Sequence, residues 1–578
     1  MRVRLPAVSW RIAASVVLSL VFVVASLGVV GAGSSTSNRA ASKPVQIAAS
    51  GRGVAPMKGI VDLAKLPTVK AGAQPTIQAA PQQRLDPLTP AQRTAYEAGL
   101  KHATNLPSAS AGAPLPQAKM SPNFIGGSKI PLLTKNVDGL SSVEAGAPFV
   151  VASPAIATDL SYVMEGVSES FAIYRASDGS RAFGPYLESS FFAPVFHSSD
   201  LYGNTLMDYD VMRDRWIVVA MEGSSIPGTP YYLDIAVSTS TAPNQPAPGG
   251  QYHEYQIPMD LRGAGSNCYG VRLGVEYYSL TITCSFNIGN DIGGNNTIVI
   301  DKAPLLTGAS ASYTLYQDVM LDNGHVAFAI SPAIEDGVQD AEYLVASEAG
   351  WGGPFTKITL CALTNLRNIA TTAPTYTCGV VDLGVSYSDP VAPRQPGGTL
   401  SMYAGAFGTN EMYFKAGRLY FALTTAITGP RDGILWAELQ PQLTTQAAHN
   451  PQWINGADYV QTGMFYFSDP NTDVYVPTVM GTDENDMSLV FNYSGNATSG
   501  LYPSIGFTGR KVSDAPGTMG QGGASATAAS GLNNGGNWGG YAGCAIPLNS
   551  VTRGSVWCAY EYAVSNAWKT RLMALRLE

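Results

Sequence analysis

A glutamate flanked by two tyrosines near the carboxyl end is the first group of residues that could take part in catalysis. Tyr560-Glu561-Tyr562 has the residue types with which a glutamate activates a tyrosine for glycoside hydrolysis. Successive residues of a strand face opposite sides of a sheet, so Tyr560 and Glu561 cannot act on one substrate without residues from elsewhere. The alternative, a buried strand residue satisfied by a turn or an arginine, is favoured for Glu561.

A glycine-, alanine- and asparagine-rich segment, residues 520–540, has aromatic residues at its end. Trp538 and Tyr541 there could stack on a sugar ring if the loop lies over a face of the protein, or they could be tucked inward. With Arg510 and Glu561 they are the candidate ligand-binding residues. No residue is assigned a catalytic role.

Two clusters of acidic residues could either cap backbone amides in turns or bind a cation. Asp469, Asn471 and Asp473 place oxygen side chains at alternate positions, as at the start of a calcium loop, but the loop's later glycine and glutamate are missing. Calcium is the one cofactor left open. Asp208 and Asp210 precede a tight turn, where we expect them to cap backbone amides.

The six cysteines fall into three local pairs. Six cysteines allow fifteen connectivities, and pairing between sequence neighbours is the simplest, because each separation suits a bridge between adjacent strands. Such bridges imply an oxidising compartment. Free thiols are the alternative. The predicted pairs are Cys268 with Cys284, Cys361 with Cys378, and Cys544 with Cys558.

Several functions are excluded by what the sequence lacks. It has no Gly-x-Ser-x-Gly elbow, phosphate-binding loop or zinc-protease motif. A net charge of -8 with only 13% charged residues gives no basic surface for nucleic acid. Asn295, Asn492 and Asn496 lie in N-glycosylation sequons, which matter only in a host that glycosylates exported proteins.

The amino-terminal region predicts export. Residues 1–33 have arginines followed by an uncharged stretch, which indicates a signal peptide or, if it is not cleaved, a membrane anchor. Residues 34–120 are rich in Ala, Pro and Gln and predict a low-complexity linker, with one helix over about 90–104. Membrane contact is expected only through the first segment.

Residues 121–578 repeat one pattern, a polar or glycine turn followed by about six β-branched and aromatic residues. The copies start at residues 161, 215, 277, 325, 418, 487 and 556, and we interpret them as second strands of hairpins. Units of this size bury their apolar faces only by stacking around a ring. The sequence therefore predicts an all-β fold, a six- or seven-bladed β-propeller that the last strand closes. A pair of β-sandwiches is the alternative.

Several segments of this sequence are similar to segments of known proteins. Residues 167–174, 207–216 and 232–239, and towards the carboxyl end 502–510 and 556–562, resemble secreted bacterial seven-bladed propellers that are sialidase-like in architecture and mostly of unassigned function. The resemblance implies an exported propeller and carries no catalytic residue across, since the sequence has no Ser-x-Asp-x-Gly-x-Thr-Trp turn.

The expected function is a secreted or cell-surface propeller that binds a glycan or an extracellular protein. A hydrolase or lyase acting on polysaccharide is the alternative, because propellers host both binding and catalysis. Converging carboxylates and arginines in the central depression would favour the enzyme, and an uncharged aromatic depression would favour binding.

Overall fold

The computed structural model of the protein describes residues 44–68, 118–120, 129–145, 152–197, 200–224, 230–239, 250–263, 266–288, 291–339, 341–402, 411–429, 431–444, 452–531, 537–539, 541–546, 555–565 and 567–577. The predicted signal segment (1–33) and the predicted helix over about 90–104 lie outside these residues. In the part of the chain that is described, no helix is long and apolar enough to cross a membrane.

Strands dominate the described residues, and they are, in chain order, β1 Val45–Ile47, β2 Ala49–Ala55, β3 Met57–Asp62, β4 Ala118–Met120, β5 Leu132–Ser141, β6 Ala155–Thr158, β7 Tyr162–Val167, β8 Ser170–Arg175, β9 Arg181–Leu187, β10 Asp200–Asp210, β11 Arg215–Ser224, β12 Tyr232–Ser238, β13 Gln251–Pro258, β14 Ser266–Val275, β15 Ser279–Ile288, β16 Asp291–Asp301, β17 Ala311–Gln317, β18 Ile330–Glu335, β19 Ala341–Ser347, β20 Phe355–Thr364, β21 Thr375–Tyr387, β22 Arg394–Gln395, β23 Gly398–Thr399, β24 Ser401–Met402, β25 Met412–Lys415, β26 Arg418–Ile427, β27 Arg431–Leu443, β28 Ile454–Phe467, β29 Thr472–Gly481, β30 Met487–Gly495, β31 Ser504–Arg510, β32 Ala524–Thr527, β33 Asn537–Trp538, β34 Gly543–Ala545, β35 Ser555–Val564 and β36 Ala567–Arg576. The helices are single turns, namely α1 Glu188–Phe191, α2 Lys302–Leu305 and the 3₁₀ turns Leu63–Lys65 and Leu366–Asn368.

Seven units of four antiparallel strands account for most of these strands. We number them in chain order as blade 1 (β6 to β9), blade 2 (β10 to β13), blade 3 (β14 to β17), blade 4 (β18 to β21), blade 5 (β25 to β28), blade 6 (β29 to β32) and blade 7 (β34, β35, β36 and β5). Short parallel pairings of β14 with β18 and of β18 with β25 join blades 3, 4 and 5 along their inner edges.

The first strands of the seven blades form a closed cycle. Going round, β6 contacts β10, β10 contacts β14, β14 contacts β18, β18 contacts β25, β25 contacts β29, β29 contacts β34, and β34 contacts β6 again. These seven inner strands therefore surround one axis. The predicted β-propeller is confirmed, and the described residues form seven blades.

Blade 7 closes the ring by combining the two ends of the propeller chain. The carboxyl-terminal strand β36 pairs with β35 on one side and with the early strand β5 on the other, with Leu572 opposite Val137. The predicted pairing of the last residues with an early segment is confirmed. Closure of this kind leaves no gap between the first and last blades.

The hairpin interpretation is confirmed for six copies and wrong for one. The copies at 161, 215, 277, 418, 487 and 556 begin within two residues of β7, β11, β15, β26, β30 and β35, each the second strand of its blade. The copy at 325 is wrong, because residues 325–329 belong to the connection into β18 and the second strand of blade 4 is β19. Asn323-Gly324 does turn the chain, since Leu321 N donates to His325 O, but it joins no two blade strands.

Residues 45–62 differ from the linker expected there. The strands β1, β2 and β3 pair with the outermost strands of blades 4, 3 and 2, namely β21, β17 and β13. We call residues 45–62 the N-terminal strap. Most of its side chains are exposed or half-buried, and Ala55 and Val61 are buried. An edge strand held by backbone hydrogen bonds needs little apolar pattern, and residues 45–62 therefore carry no strand pattern that could be predicted.

The predicted cysteine pairs are all at disulfide distance. Cys361 lies opposite Cys378 in blade 4, and Cys544 lies opposite Cys558 in blade 7, each pair with Cα atoms 4.0 Å apart. In blade 3 the Cα atoms of Cys268 and Cys284 are 5.6 Å apart on the neighbouring strands β14 and β15. Each bridge is therefore local to one blade.

Candidate binding site at the ring axis

Trp538 and Tyr541 do not form an exposed stacking platform. Their side chains are 0% and 2% exposed. The Trp538 ring N–H donates to Asn492 Oδ1 at 3.4 Å, and the Tyr541 ring lies 4.3 Å from the guanidinium of Arg272. Large aromatic rings contribute most to stability when they are buried, and here both are part of the interior. Of the two alternatives for Trp538 and Tyr541, the structure contains the one in which both side chains point into the interior.

Arg510 and Glu561 are also buried. The Arg510 guanidinium lies 3.5 Å from the Glu438 carboxylate and donates to two backbone carbonyls, those of Asp514 and Thr518. The Glu561 carboxylate accepts a hydrogen bond from Gly539 N at 2.6 Å. These contacts fix loops between strands, and the four candidate ligand-binding residues do not meet at one surface.

The three residues of the calcium-loop pattern have other partners. Asp469 accepts hydrogen bonds from Asn471 N and from the Thr472 hydroxyl, at 3.0 Å and 2.8 Å, which is turn chemistry. Asp473 is buried, and its carboxylate accepts from Arg394 Nε at 2.8 Å. The Asn471 side-chain oxygen accepts from Asn496. Across the described ranges no group of three or more His, Cys, Asp or Glu side chains is arranged to hold a metal ion.

The sequons are mostly inaccessible in the fold. Asn295 and Asn492 are buried on strands β16 and β30, where their amide groups donate to backbone carbonyls. Asn496 is only partly buried, in the turn after β30. Of the three, Asn496 alone lies where a glycan could be attached after folding.

A small cavity of about 40 Å³, partly open to solvent, lies where several inner strands end. The last residues of β10, β18, β25, β29 and β34 line it, so five blades contribute to one depression on the axis. Small ligands bind in concave sites with a few well-placed polar groups. Its lining consists of Asp208, Tyr209, Val211, Ile334, Glu335, Asp336, Tyr413, Phe414, Lys415, Met480, Ala545 and Ile546.

The lining is acidic, and its one cation is already paired. Lys415 forms ion pairs with Asp336 and with Asp483, the latter at 3.2 Å. Asp208 and Glu335 are buried and form no ion pair with any described residue. Among the described residues, no arginine contributes to this lining. A ligand that enters the cavity therefore meets carboxylates and aromatic rings.

Burial and mutual repulsion raise the pKa values of these carboxyls. Burial is the main cause for Asp208, whose pKa rises to about 7, with Asp210 adding repulsion and Lys302 opposing it. The pKa of Glu335 lies well above its ordinary value, because the group is buried and Glu276 is close. Carboxyls of this kind hold protons near neutral pH unless a cation replaces them.

A second layer of charged groups lies behind the cavity lining. Lys302 on α2 is buried and lies 2.5 Å from the Asp210 carboxylate, and it donates to the backbone of Glu276. Glu342 is fully buried, neither of its carboxylate oxygens has a hydrogen-bond partner, and repulsion from Glu335 and Glu276 adds to burial in raising its pKa. In this region the described acids outnumber the described bases.

One tyrosine of the cavity is paired with a glutamate. The Tyr413 hydroxyl donates to the Glu411 carboxylate and also contacts the backbone oxygen of Cys544. Burial raises the pKa of Glu411 to about 8 and that of Tyr413 far above its ordinary value. A tyrosine in this state is a poor nucleophile, because ionising it would place a further negative charge beside a buried carboxyl.

No family model and no curated protein matches the chain. Solved structures that are similar to it include the WD40 domain of SCAP from fission yeast, 8% identical over 78% of this chain and 96% of that one, with a TM-score of 0.32. Drosophila Semaphorin 1b, extracellular domains 1-2, is 7% identical over 78% of this chain and 88% of that one, with a TM-score of 0.34. A Trypanosoma rangeli sialidase in complex with the inhibitor DANA is 7% identical over 77% and 60%, with a TM-score of 0.30. At these scores the likenesses carry no argument about this chain's function.

The sequence missed the cavity residues for a physical reason. Asp210 caps its turn as expected, accepting from Met212 N at 3.1 Å. Asp208, two residues earlier, faces the axis instead and lines the cavity with Glu335 from a different blade. The inner strands of a propeller end near its axis, so their last residues are candidates for an axial site. Using this rule requires the strand boundaries, which the sequence does not define.

Proposed function

We propose that this protein is an exported propeller that binds a glycan at the ring axis without turning it over. The observation that carries the proposal is the cavity at the ends of five inner strands, with carboxylates to accept sugar hydroxyls and the half-buried ring of Tyr209 to contact a sugar face. Export is supported by the three cysteine pairs, because such bridges persist in oxidising compartments.

A glycan array of the purified protein, followed by calorimetry on its best ligand, tests this proposal. Asp336→Asn changes the cavity, whereas Asp458→Asn changes an exposed acid on the outer strand of blade 5. We expect weaker binding by the first variant only. Equal binding by both variants would place the glycan elsewhere on the surface, and an empty array would remove the proposal.

A polysaccharide-active hydrolase is the second candidate, because the Tyr413–Glu411 contact supplies the residue types for it, but the raised pKa of Tyr413 ranks it below binding. Such an enzyme needs an acid and a nucleophile across the scissile bond. A hydrolysis screen of wild type and Tyr413→Phe separates the two candidates. Turnover that Tyr413→Phe abolishes, in a protein that still folds and binds, would make the hydrolase the better proposal.

A further inference from the structure

The axial cavity contains a buried carboxylate that has an unused oxygen. Glu335 ends the inner strand of blade 4, and its side chain is 4% exposed. One carboxylate oxygen accepts a hydrogen bond from Tyr343 N at 3.3 Å, and the other, Oε2, has no partner among the described residues. Buried polar atoms are nearly always satisfied, so an unsatisfied one at a cavity points to a missing donor.

The charge around this atom is unbalanced in one direction. Asp208 lines the same cavity and has no ion pair with a described residue, while Asp210 and Asp336 are neutralised by Lys302 and Lys415. Glu276, Glu342 and Asp336 are the titratable groups that act on Glu335, and all three are acids. Protons or a cation from outside must offset this excess.

An organic ammonium group fits the cavity better than a metal ion. A divalent cation needs several oxygens converging on one point, and the described acids form no such group. An ammonium group needs only two or three acceptors and gains from an aromatic ring, which the half-buried Tyr209 supplies. The protein already places one ammonium there, that of Lys415 against Asp336.

We propose that the axial cavity selects a ligand with a protonated primary amine, such as an amino sugar, for which the lining offers two acceptors, Glu335 Oε2 and the Asp208 carboxylate. The inference rests on the proposed function and names the charge of its ligand. It also predicts what is rejected, because a carboxylated sugar would add a negative charge to an acidic cavity that has no arginine among its described lining residues.

The test uses the purified full chain and three matched trisaccharides, those of glucosamine, N-acetylglucosamine and glucose. We expect the glucosamine trimer to bind about tenfold more tightly than either of the others. We also expect its binding heat to vary with the buffer, because the ammonium group displaces protons from Asp208 and Glu335. Glu335→Gln should remove the tenfold preference and the buffer dependence together.

Glu254→Gln is the matched control for this substitution. Glu254 is equally buried and lacks hydrogen-bond partners on both oxygens, but it lies on β13 of blade 2, outside the cavity. This variant should keep the amine preference. If Glu335→Gln does not fold, Asp208→Asn provides the same readout from the other acceptor.

The results separate the two proposals. Equal or tighter binding of the N-acetylated or glucose trimer overturns the amine inference and leaves glycan binding in place. The amine inference is also overturned, and glycan binding kept, if a glycan binds on the array but a free amine does not tighten its binding. Binding of no glycan overturns both, and a preference that survives Glu335→Gln and Asp208→Asn places the amine elsewhere and overturns the inference.

Discussion

Buried carboxyls set the pH dependence of this protein's stability. Burial raises the pKa values of Glu165, Asp208, Asp389 and Glu561 to about 7. In the unfolded chain such groups titrate near pH 4. Between about pH 4 and pH 7 the folded state therefore binds more protons than the unfolded state, and its stability falls as the pH rises through that window.

We therefore expect the thermal unfolding temperature to be higher at pH 5 than at pH 8. Carboxyls with lowered pKa values, such as Glu144 beside Arg181, act in the opposite sense, but the buried groups shift further. Thermal unfolding followed by fluorescence across this range measures the effect. A transition that falls steadily on acidification would show that these carboxyls are solvated.

Glu561→Gln should change stability and not catalysis. The carboxyl lies inside blade 7, fixes Gly539 through its backbone N–H, and does not line the axial cavity. We expect no sialidase activity from the wild type, and a weaker pH dependence of unfolding from the variant. Release of sialic acid from a model substrate that Glu561→Gln abolishes in a folded protein would reverse the ranking of binding over catalysis.

At the scale of single elements, the disulfides stabilise the fold by lowering the conformational entropy of the unfolded chain. Cys361 and Cys378 are 17 residues apart, and closing a loop of about that length stabilises a protein by about 3 kcal/mol in the loop-entropy view. The double variant Cys361→Ser, Cys378→Ser should lose up to about this much in urea unfolding and still form the ring. Non-reducing peptide maps should show the other two bridges unchanged, and a new cross-link between the remaining pairs would contradict local pairing.

The N-terminal strap provides a second test at this scale. A Cβ at Gly59 on β3 would lie 2.5 Å from Pro194 Cβ, and a proline ring cannot rotate away, whereas a Cβ at Gly51 on β2 would meet nothing within 4 Å. Gly59→Val should therefore loosen β3 from blade 2, and Gly51→Val should not. Hydrogen exchange of the residue 57–62 amides reports the difference, and equal exchange in both variants would mean that strap pairing does not depend on this contact.

At the scale of the whole molecule, the sequence predicted the repeat and the closure of the ring by the last strand, but not which residues line the axis. The apolar runs in Arg215 to Ala220 and Val556 to Glu561 mark strands that the structure contains, because each strand buries its own apolar residues. The axial cavity had no such marker, since Asp208 and Glu335 meet only after several blades have closed around the axis. The strap was missed for the opposite reason, as backbone pairing with an existing edge requires no apolar period.

Ring closure depends on β36, so deleting Arg571 to Glu578 should open the molecule. The deleted residues pair with β35 on one side and β5 on the other, and their loss leaves both strands with unpaired backbone groups inside blade 7, where the two ends of the propeller chain meet. Exposed strand edges of this kind pair with other chains. We expect the truncated protein to unfold at lower temperature and to associate in sedimentation or light-scattering measurements.

Arg571→Met is the control, because it removes the ion pair with Asp138 and the hydrogen bond to Asn136 while keeping every backbone pairing of β36. A half-exposed ion pair contributes about 1 kcal/mol or less, so this variant should remain monomeric with a small decrease in unfolding temperature. If the truncated chain were instead monomeric and unfolded at the same temperature as the full chain, the ring would have to be held closed by packing between blades 7 and 1, as in the contact of β34 with β6, and not by β36.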